Sequence, residues 1–479
     1  MTTYEHLFIG GQWVTPASGE VYELTSASTE ELIGVVPAAT EADVDAAVAA
    51  ARRAFDDPTG WSSWDPLRRA EAIEELAAEL EKRSEEMARR VAAQNGMPIT
   101  IATQLEGGFP LVVLRYYANL LRSTDMERQQ PHLMGGTTTV RREPVGVVAA
   151  ISPWNYPQTL ASFKIAPALA AGCTLVLKPS PETLLDAFLF AEAVAATSIP
   201  AGVVNIAPGG REVGGYLVAH PDVDKVAFTG STAAGRMIAE ICGRLLRPVT
   251  LELGGKSAAI VLDDADLNLE TIGERLFESL LVNNGQTCYL GTRILAPDNR
   301  YDEVVDTFAA FVTSLPVGDA LDPQTMIGPM ASAMQRDRVE TFIDKGRGEG
   351  ARVVVGGHPS EQHRGWFVTP TVFAEVDNQS IIAQEEIFGP VLSMIRYRDV
   401  DDAIRIANDS SYGLGGTVWT SDQDRGLAVA RRIRTGTIGI NRYMPDPSAP
   451  FGGVKASGLG RELGPDGLNA YLTVKSIYS

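Results

Sequence analysis

One cysteine of the chain lies in a context that suits a nucleophile. Cys288 follows the polar segment Asn283-Asn284-Gly285-Gln286-Thr287, which itself follows an apolar run typical of a buried helix. The thiolate is the reactive form of cysteine, so such a residue needs backbone N–H groups or a nearby base. Cys173 and Cys242 have apolar or helical surroundings, and we expect them to be small buried side chains. Cys288 is the candidate nucleophile, with a buried structural thiol as the alternative.

Two other side chains could assist a thiol. Glu252 stands among apolar residues and glycines in Leu251-Glu252-Leu253-Gly254-Gly255-Lys256, where desolvation would raise the pKa of its carboxyl toward that of a general base. Asn155 follows the apolar strand Val147–Ile151, so its amide could donate to a developing oxyanion. A capping or ion-paired glutamate and a turn-forming asparagine are the alternatives.

A third group of residues could hold a nucleotide. Phe228-Thr229-Gly230-Ser231 follows an apolar strand and opens a helix, whose free N–H groups could meet a pyrophosphate. It is not the usual G-x-G-x-x-G pattern, and a structural turn is the alternative. Lys178 ends another strand, where its amine could bind ribose hydroxyls or simply remain solvated. A second glycine-rich segment, Pro208–Gly215, is interpreted as a turn before a helix.

The elements that must position these residues follow a strand–helix alternation. After a mainly helical opening, short strands that are apolar on both faces are predicted at 137–142, 145–151, 174–178, 203–206 and 226–229, with helices near 164–171, at 182–196 and from Ala233. This predicts a doubly wound α/β domain, which binds ligands beyond the carboxyl ends of its strands. A second α/β block is predicted from about Gly254.

Composition narrows the class of protein. The 479 residues exceed what one core holds, and two or three domains are expected. Lys and Arg number 41 against 60 Asp and Glu, and a net charge of −19 disfavours nucleic acid and anionic lipid as partners. Three dispersed cysteines predict neither disulfides nor a metal site. With no signal peptide and no apolar run that could span a bilayer, a cytoplasmic location is expected.

Six motifs together resemble the aldehyde dehydrogenase superfamily in order and spacing across essentially the whole chain. They are Pro153-Trp154-Asn155, Phe228-Thr229-Gly230-Ser231, Glu252-Leu253-Gly254-Gly255-Lys256, Gly285-Gln286-Thr287-Cys288, Glu386-Ile387-Phe388-Gly389-Pro390 and Phe451-Gly452-Gly453-Val454-Lys455-Ala456-Ser457-Gly458. The resemblance implies a Rossmann-type cofactor domain, an α/β catalytic domain and a small oligomerisation hairpin. It also implies oxidation of an aldehyde to a carboxylic acid with NAD, and possible use of NADP.

The resemblance assigns roles to catalytic residues. Cys288 matches the nucleophile that forms a thiohemiacetal and then a thioester, and Asn155 matches the oxyanion donor. Glu252 matches the base that activates water to hydrolyse the thioester. Lys164 and Glu462 match a proton path to solvent. Cofactor contacts are implied at Ile151, Trp154, Lys178, Ser180, Pro181, Gly230, Ser231, Leu253, Glu386 and Phe388.

One departure from the family pattern concerns the cofactor. Members that prefer NAD commonly have a glutamate three positions after the conserved lysine, where this chain has Pro181 and then Glu182. Proline cannot bind the adenosine 2′-hydroxyl, and it also removes a carboxylate that would repel a 2′-phosphate. The sequence therefore predicts NAD as the first cofactor, with NADP tolerated.

The positions that match the family's substrate tunnel are mostly apolar or aromatic. None is Arg or Lys, so a carboxylated semialdehyde would lack a charge partner. A medium-sized apolar or aromatic aldehyde is predicted. The implied tunnel residues are Phe109, Val113, Tyr156, Thr159, Leu160, Phe163, Thr287 and Tyr289.

The family's organisation implies a cofactor domain of residues 1–122 and 144–253 and a catalytic domain of residues 254–460. Segments 123–143 and 461–479 would form the oligomerisation unit of a homodimer or homotetramer. Three alternatives remain open: a CoA-acylating aldehyde dehydrogenase, which needs no hydrolytic base; a non-catalytic binding or structural relative; and a thiol hydrolase without nicotinamide. A protein of the second kind has no reason to retain Cys288, Glu252 and Asn155 together.

Overall fold

The computed structural model describes residues 1–479, which form two large α/β layers and three small sheets. The N-terminal part is helical, as predicted, and the helix that begins at Pro66 is capped by the Asp65 carboxylate. None of the helices is long and apolar enough to cross a lipid bilayer. The helices before the first large sheet are Glu41–Asp56, Pro66–Glu81, Ser84–Asn95, Ile99–Ala102, the π-helical turn Thr103–Gly108, and Phe109–Arg122.

The first large sheet has five parallel strands and one short antiparallel strand. Numbered along the chain, the parallel strands stand in the order 3-2-1-4-5, which is the Rossmann order. Every residue of these five strands except Val249 is buried, as helices on both faces require. In spatial order the strands are Val204–Ile206, Thr174–Lys178, Val147–Ile151, Lys225–Thr229, Val249–Glu252 and the antiparallel Gly458–Leu459.

The helices that cover this sheet are Pro157–Ala171, Leu185–Ala195, Arg211–Ala219 and Thr232–Arg244. Two of them differ from the predicted bounds. The helix expected near Lys164 begins at Pro157, because a proline is favourable in the first turn of a helix. The helix expected from Glu182 begins at Leu185. Of the segment Pro208–Gly215, which was interpreted as a turn before a helix, only Pro208–Gly210 precedes the helix, because the helix already begins at Arg211.

The cysteine segment lies in the second large sheet's connection between the strands Ala258–Val261 and Arg293–Pro297. Six of its strands are parallel, and the edge strand Arg352–Val355 is antiparallel to its neighbour. In spatial order the strands are Arg352–Val355, Thr371–Ala374, Val391–Tyr397, Arg293–Pro297, Ala258–Val261, Gly416–Trp419 and Gly439–Ile440. The helices of this part are Leu269–Leu280, Tyr301–Thr313, Ala333–Gly348, Ile381–Gln384, Val400–Asn408, Gln423–Ala430 and, further on, Gly464–Asn469.

The two outlying segments noted in the sequence form one exposed sheet. Thr137–Pro144 pairs antiparallel with both Glu127–Pro131 and Leu472–Tyr478. Two smaller sheets lie near the N-terminus, one made of Thr2–Thr3, Val21–Thr25 and Leu32–Pro37, the other being the predicted hairpin of Leu7–Ile9 and Gln12–Val14. Short 3-10 turns complete the chain at Trp61–Ser63, Val282–Gly285, Asp298–Arg300 and Lys455–Ser457.

The connections bring the two large sheets together at one place. Glu252 ends a strand of the first sheet, and within a few residues the chain enters Ala258–Val261 of the second sheet. The strand Gly458–Leu459 falls within the predicted 254–460 segment, yet it returns to pair with Leu251 and Glu252 at the edge of the first sheet. The carboxyl ends of the first sheet therefore face a wall contributed by the later part of the chain.

Candidate active site

The segment before Cys288 turns sharply because three consecutive residues adopt the left-handed conformation. Asn283, Asn284 and Gly285 have φ of 53°, 61° and 76°. Asparagine and glycine tolerate this region better than other residues, which explains the Asn-Asn-Gly sequence. A side chain at Gly285 is also excluded, since its Cβ would lie 2.2 Å from the carbonyl oxygen of Gly389.

Buried amide groups hold this turn in place. The Nδ2 of Asn283 donates to the backbone oxygen of Asn155 at 2.9 Å. The Nδ2 of Asn284 donates to the carbonyls of Gly96 and Pro329 at 2.8 and 2.9 Å. Each bond ties the turn to a different part of the chain, so the position of the following cysteine is set by long-range contacts.

Cys288 emerges from this turn at the end of a cavity. It is partly exposed, whereas Cys173 and Cys242 are fully buried, as the sequence predicted. Burial of the thiol and the nearby carboxylates of Glu386 and Glu252 raise the pKa of Cys288 above its ordinary value. Formation of the nucleophilic thiolate therefore needs a base or hydrogen-bond donors beside the sulfur.

Asn155 lies beside the cysteine segment, and hydrogen bonds hold both its side-chain amide and its backbone carbonyl. Its Nδ2 donates to the carbonyl of Gln286 at 2.9 Å, and its own backbone oxygen accepts from Asn95 and Asn283. An amide nitrogen has two hydrogens, so one remains for a substrate oxygen. The backbone N–H of Cys288 donates to no backbone carbonyl. These two donors suit an oxyanion that develops next to the sulfur.

Glu252 is a buried carboxylate with no partner. It is 2% exposed, and neither of its side-chain oxygens makes a hydrogen bond. Burial and then the neighbouring Glu462 raise its pKa well above the ordinary value, against the opposing charges of Lys164 and Arg461. A carboxyl group of this kind is suited to accept a proton near neutral pH.

Lys164 and Glu462 form a buried ion pair next to this carboxylate. The Lys164 ammonium donates to Glu462 at 2.8 Å and to the hydroxyl of Thr229 at 2.6 Å. Thr229 stands opposite Glu252 in the first sheet. The second oxygen of Glu462 has no hydrogen-bond partner. The first sheet therefore brings Glu252 close to the buried Lys164–Glu462 pair.

The edge of the first sheet offers a nucleotide site at the point where the strand order reverses. The strands that end at Ile151 and Thr229 are neighbours there, and connections from them leave in opposite directions. Ser231 caps the helix that begins at Thr232 by accepting from the N–H of Ala234. The helix N-terminus therefore presents unpaired N–H groups and positive potential to this edge, as a pyrophosphate requires.

The ribose side of this edge is polar. Lys178 is 7% exposed, and burial lowers its pKa to about 8 while Glu182 acts in the opposite direction. The hydroxyl of Ser180 donates to the carboxylate of Glu182. Pro181 lies between them. Glu182 therefore lies one residue after the position that is commonly glutamate in the family, and Pro181 occupies that position here.

The carboxylate of Glu386 also lies at this edge of the first sheet, away from that of Glu182. Glu386 accepts from the N–H of Gly255 at 2.9 Å, and burial raises its pKa to about 7. Phe388 has a left-handed φ of 63°, and its ring meets that of Trp154 edge-on at 5.3 Å. A Cβ at Gly254 would lie 2.5 Å from the Glu386 carboxylate, so a side chain there would displace this carboxylate from its present position. Hydroxyl-binding carboxylates, a helix N-terminus and aromatic rings fit a dinucleotide.

Leu253 lies at the same edge of the first sheet, against the helix that begins at Thr232. Its side chain occupies the space next to Gly235, where an added Cβ would lie 2.4 Å from it. Gly230 donates its N–H to the carbonyl of Glu252 at 3.0 Å, which joins the glycine turn to the catalytic strand. The nucleotide edge and the cysteine region therefore share backbone contacts.

A cavity of about 380 Å³ leads to Cys288 from the other side. Its wall is mostly apolar and aromatic, and Tyr156 and Thr287 share a hydrogen bond of 2.8 Å within it. The predicted tunnel residues that line it are Phe109, Tyr156, Thr159, Leu160, Phe163, Thr287 and Tyr289. Val113 does not line it: this residue is fully buried in the core, one helical turn beyond Phe109, where its helix has left the cavity wall.

The sequence did not identify several other wall residues. Tyr443 stacks on Tyr289 with ring centroids 4.4 Å apart, and Phe451 lies edge-on to the same ring. Phe451 belongs to a motif noted above, but nothing local to the sequence signals Tyr443. The remaining wall residues are Ile101, Gln104, Leu105, Glu274, Phe277, Glu278, Val282, Met326, Met444 and Pro445.

The fold and the site together indicate the class of protein. A Rossmann-order sheet with a nucleotide edge faces a partly exposed cysteine, an oriented amide and a buried carboxylate at the end of an apolar tunnel. This combination is that of an oxidoreductase with a reactive thiol. Comparison with known proteins then narrows the class to a family.

The sequence profile described as the aldehyde dehydrogenase family matches residues 13–477. A geranial dehydrogenase of Castellaniella defragrans is 58% identical over 475 residues, covering 99% of this chain and 98% of that one. The chain belongs to the aldehyde dehydrogenase family. This confirms the resemblance, the α/β fold class and the enzyme class predicted from the sequence.

Solved structures of aldehyde dehydrogenases have the same fold as this chain. An aldehyde dehydrogenase of Mycobacterium tuberculosis, crystallised with NAD⁺, is 48% identical and superposes with a TM-score of 0.97, covering 100% of this chain and 98% of the other. A cysteine-to-alanine mutant of aldehyde dehydrogenase C from Pseudomonas syringae, in complex with NAD⁺ and octanal, is 40% identical with a TM-score of 0.94, covering 99% and 96%.

Proposed function

We propose that this aldehyde dehydrogenase oxidises a medium-sized apolar aldehyde to its carboxylic acid with NAD, through a thioester on Cys288. The observation that carries the proposal is the apolar tunnel that ends at the Cys288 thiol, with the nucleotide edge on the other side. The sites for the two reactants therefore meet at one sulfur atom.

In the first step the Cys288 sulfur forms a bond to the aldehyde carbon. The thiol proton leaves to a base, and the C=O π electrons move onto the oxygen. The free amide hydrogen of Asn155 and the backbone N–H of Cys288 stabilise the resulting oxyanion. Water in the tunnel is the acceptor for the thiol proton, so that Glu252, unpaired and with a raised pKa, remains free to act in the hydrolysis step.

The nucleotide edge holds the cofactor for the second step. Lys178 and Ser180 would bind the adenosine ribose, Ser231 and the helix N-terminus would bind the pyrophosphate, and Glu386 would bind the nicotinamide ribose. Ile151, Trp154, Leu253 and Phe388 supply apolar and aromatic contacts. Bound NAD supplies the acceptor for the hydride that leaves the former aldehyde carbon, so that the thiohemiacetal becomes a thioester.

Water then hydrolyses the thioester. Glu252 takes a proton from the water as its oxygen bonds to the acyl carbon, and the C–S bond breaks to return the cysteine thiolate. The proton on Glu252 can pass to Glu462, whose unpaired oxygen is buried nearby and whose other oxygen is bonded to Lys164. The carboxylic acid leaves through the tunnel.

The size and polarity of the tunnel support an apolar substrate. Fourteen of its 20 wall residues are hydrophobic, and its volume of about 380 Å³ lies in the lower part of the range of about 300–1,000 Å³ typical of small-molecule sites. The names of the related geranial dehydrogenase and of the octanal complex indicate medium-length apolar aldehydes in similar proteins.

A panel of aldehydes tests this proposal. The purified protein is mixed with NAD and with octanal, geranial, benzaldehyde, acetaldehyde or succinic semialdehyde, and the formation of reduced nicotinamide is followed by absorbance. We expect kcat/KM to be highest for the medium-sized apolar aldehydes. A higher value for succinic semialdehyde than for every apolar aldehyde would contradict the proposed substrate class.

We propose that Glu182 gives the enzyme its preference for NAD. Its carboxylate lies next to Lys178 and Ser180, where it would repel the extra phosphate of NADP. Glu182→Gln is expected to raise the ratio of kcat/KM for NADP to that for NAD by about tenfold, because the repulsion is removed. Glu182→Asp, which keeps the charge, is the matched control. An unchanged ratio in Glu182→Gln would refute this role.

We propose that the exposed three-stranded sheet joins subunits into a homodimer or homotetramer. Its strand Leu472–Tyr478 exposes Val474 by 69% and Tyr478 by 71%, and the hairpin tip fully exposes Leu133. Apolar side chains exposed in such numbers are typical of an interface. Val474→Glu with Ile477→Glu is expected to reduce the mass measured by light scattering to that of a smaller assembly. A monomeric wild-type protein would contradict the proposal.

The domain division that we propose keeps residues 1–122 with 144–253, 254–460, and 123–143 with 461–479. The order of strands in the two large sheets and the exposed third sheet support it, except that Gly458–Leu459 pairs with the first sheet.

We also propose a reducing, cytoplasmic location, which the three free thiols support.

A further inference from the structure

A buried carboxylate outside the tunnel joins two parts of its wall. Glu106 lies in the π-helical turn Thr103–Gly108, is 1% exposed and is not itself a wall residue. Its Oε2 accepts from the backbone N–H of Gln158 at 2.8 Å, and its Oε1 accepts from that of Thr159 at 3.4 Å. These N–H groups belong to the first turn of the helix Pro157–Ala171, where intrahelical acceptors are lacking. A carboxylate suits them, because it also complements the positive end of the helix.

This helix has no cap of its own. The residue before it, Tyr156, makes no side-chain hydrogen bond to the first turn, so Glu106 takes that role from a distant part of the chain. A further bond runs between the same two segments, since the hydroxyl of Thr159 donates to the carbonyl of Leu105. Three hydrogen bonds therefore fix the π-helical turn to the start of the helix.

The two joined segments supply much of the tunnel wall. The wall residues are Ile101, Gln104 and Leu105 from the turn and the residues before it, and Tyr156, Thr159, Leu160 and Phe163 from the helix start. The oxyanion donor Asn155 is held separately, by bonds to the cysteine segment and to Asn95. A shift of the two segments would therefore alter the wall more than it alters the groups that act at the sulfur.

We propose that Glu106 is a positioning residue for the apolar chain of the substrate: by holding the π-helical turn against the helix start, it sets the selectivity of the tunnel for long aldehydes over short ones. The inference rests on the proposed function and deepens it. A long alkyl chain contacts both segments, so its binding depends on their spacing. A two-carbon aldehyde occupies only the end of the tunnel at Cys288. Loss of the Glu106 carboxylate should therefore act on binding of the chain and leave the chemistry at the sulfur largely unchanged.

The ratio of kcat/KM for octanal to that for acetaldehyde measures this selectivity, and it does not depend on the fraction of enzyme that is folded. The assays with NAD are run at pH 9, because burial raises the pKa of Glu106 to about 8 and the wild-type residue is then a carboxylate. Glu106→Gln keeps the size of the side chain, but only one of its two polar atoms can accept a hydrogen bond. We expect the ratio to fall by about tenfold through a rise in the KM of octanal, while kcat for both aldehydes changes by less than about threefold.

Asp186→Asn is the matched control. Asp186 is another fully buried carboxylate of this region, but it accepts from the side-chain amides of Gln94 and Gln158 and not from the N–H groups of the helix start. Its replacement should lower the melting temperature, as Glu106→Gln also should, because each variant weakens buried hydrogen bonds to a charged group. The ratio of the two aldehydes should stay at the wild-type value in Asp186→Asn. A purely structural role for Glu106 predicts that both variants behave alike.

Glu106→Asp tests the same position with the charge retained. Its side chain is shorter by one methylene group, so the ratio should fall by less than in Glu106→Gln, and this variant carries the test if Glu106→Gln does not fold. A wild-type ratio in the folded Glu106 variants, or an equal fall in Asp186→Asn, would overturn the inference while leaving the proposed function standing. Failure of the wild type to oxidise octanal would overturn both.

Discussion

Replacing Cys288 with alanine is expected to abolish aldehyde oxidation while leaving cofactor binding intact. Cys288 is the only cysteine in the tunnel wall, and its sulfur is a far better nucleophile toward a carbonyl carbon than the hydroxyl groups beside it. Without it no thiohemiacetal forms, and the loss in kcat should be at least about 10⁴-fold, as for other nucleophile deletions. Steady-state formation of reduced nicotinamide measures the loss, and titration of NAD by calorimetry measures binding.

A second cysteine provides the matched control for this variant. Cys242 is a fully buried thiol on the helix that begins at Thr232, and it lies outside the tunnel. Cys242→Ala should retain most of the activity, because its main effect is on packing. If Cys288→Ala keeps more than a few per cent of wild-type kcat, or if Cys242→Ala is equally inactive while folded, Cys288 is not the nucleophile.

Replacing Glu252 with glutamine is expected to stop turnover after the first cycle. The amide is of similar size and fills the same buried position, but it cannot accept a proton from water. We expect kcat to fall by about 10²- to 10⁴-fold, the usual contribution of a general base. Acylation does not need this carboxylate, so rapid mixing should show a burst of reduced nicotinamide close to one per active site.

The pH dependence of turnover tests the same residue. Glu252 must be deprotonated to act as a base, and its pKa is raised by burial and by Glu462. In wild type, kcat should therefore decline as the pH falls through a pKa well above that of an ordinary glutamate. This acid limb should disappear from the residual rate of Glu252→Gln. An acid limb at the pKa of an exposed carboxyl would place Glu252 in a different environment from the one described.

An added nucleophile distinguishes hydrolysis from acyl transfer to CoA. Hydroxylamine attacks thioesters directly, so it should restore part of the turnover of Glu252→Gln. An enzyme that transfers the acyl group to CoA has no need of a base such as Glu252, so the presence of Glu252 indicates that water resolves the thioester. Coenzyme A should therefore not accelerate wild type. Acceleration by coenzyme A together with unchanged kcat in Glu252→Gln would favour the CoA-acylating alternative.

The sequence predicted the parts of the site that lie at the ends of buried strands. Ile151 and Thr229 end neighbouring strands of the first sheet that were predicted from runs apolar on both faces, whereas the strand that ends at Glu252 was not predicted. The carboxyl ends of parallel strands meet at one edge, so Asn155 and the turn at Gly230 were expected together. Cys288 was distinguished from Cys173 and Cys242 by its polar, glycine-containing surroundings, and the structure shows the same difference in exposure.

The sequence could not predict contacts that depend on how distant segments pack. Val113 was expected in the tunnel because it matches a position of the family's tunnel lining, but it is fully buried in the core and does not line the cavity. Tyr443 lies far from Tyr289 in the chain, and the stacking of their rings follows from the arrangement of the second sheet. Glu278 is one of several glutamates on a surface helix, and only the position of the tunnel distinguishes it.

Trapping the acyl-enzyme of Glu252→Gln tests the central claim most directly. The variant is mixed with NAD and octanal, quenched in acid within one turnover, digested and analysed by mass spectrometry. An acyl group attached by a thioester to the peptide containing Cys288, in an amount equal to the reduced nicotinamide formed, is the predicted result. Reduced nicotinamide without an acyl group on this peptide, or an acyl group on another residue, would contradict the account.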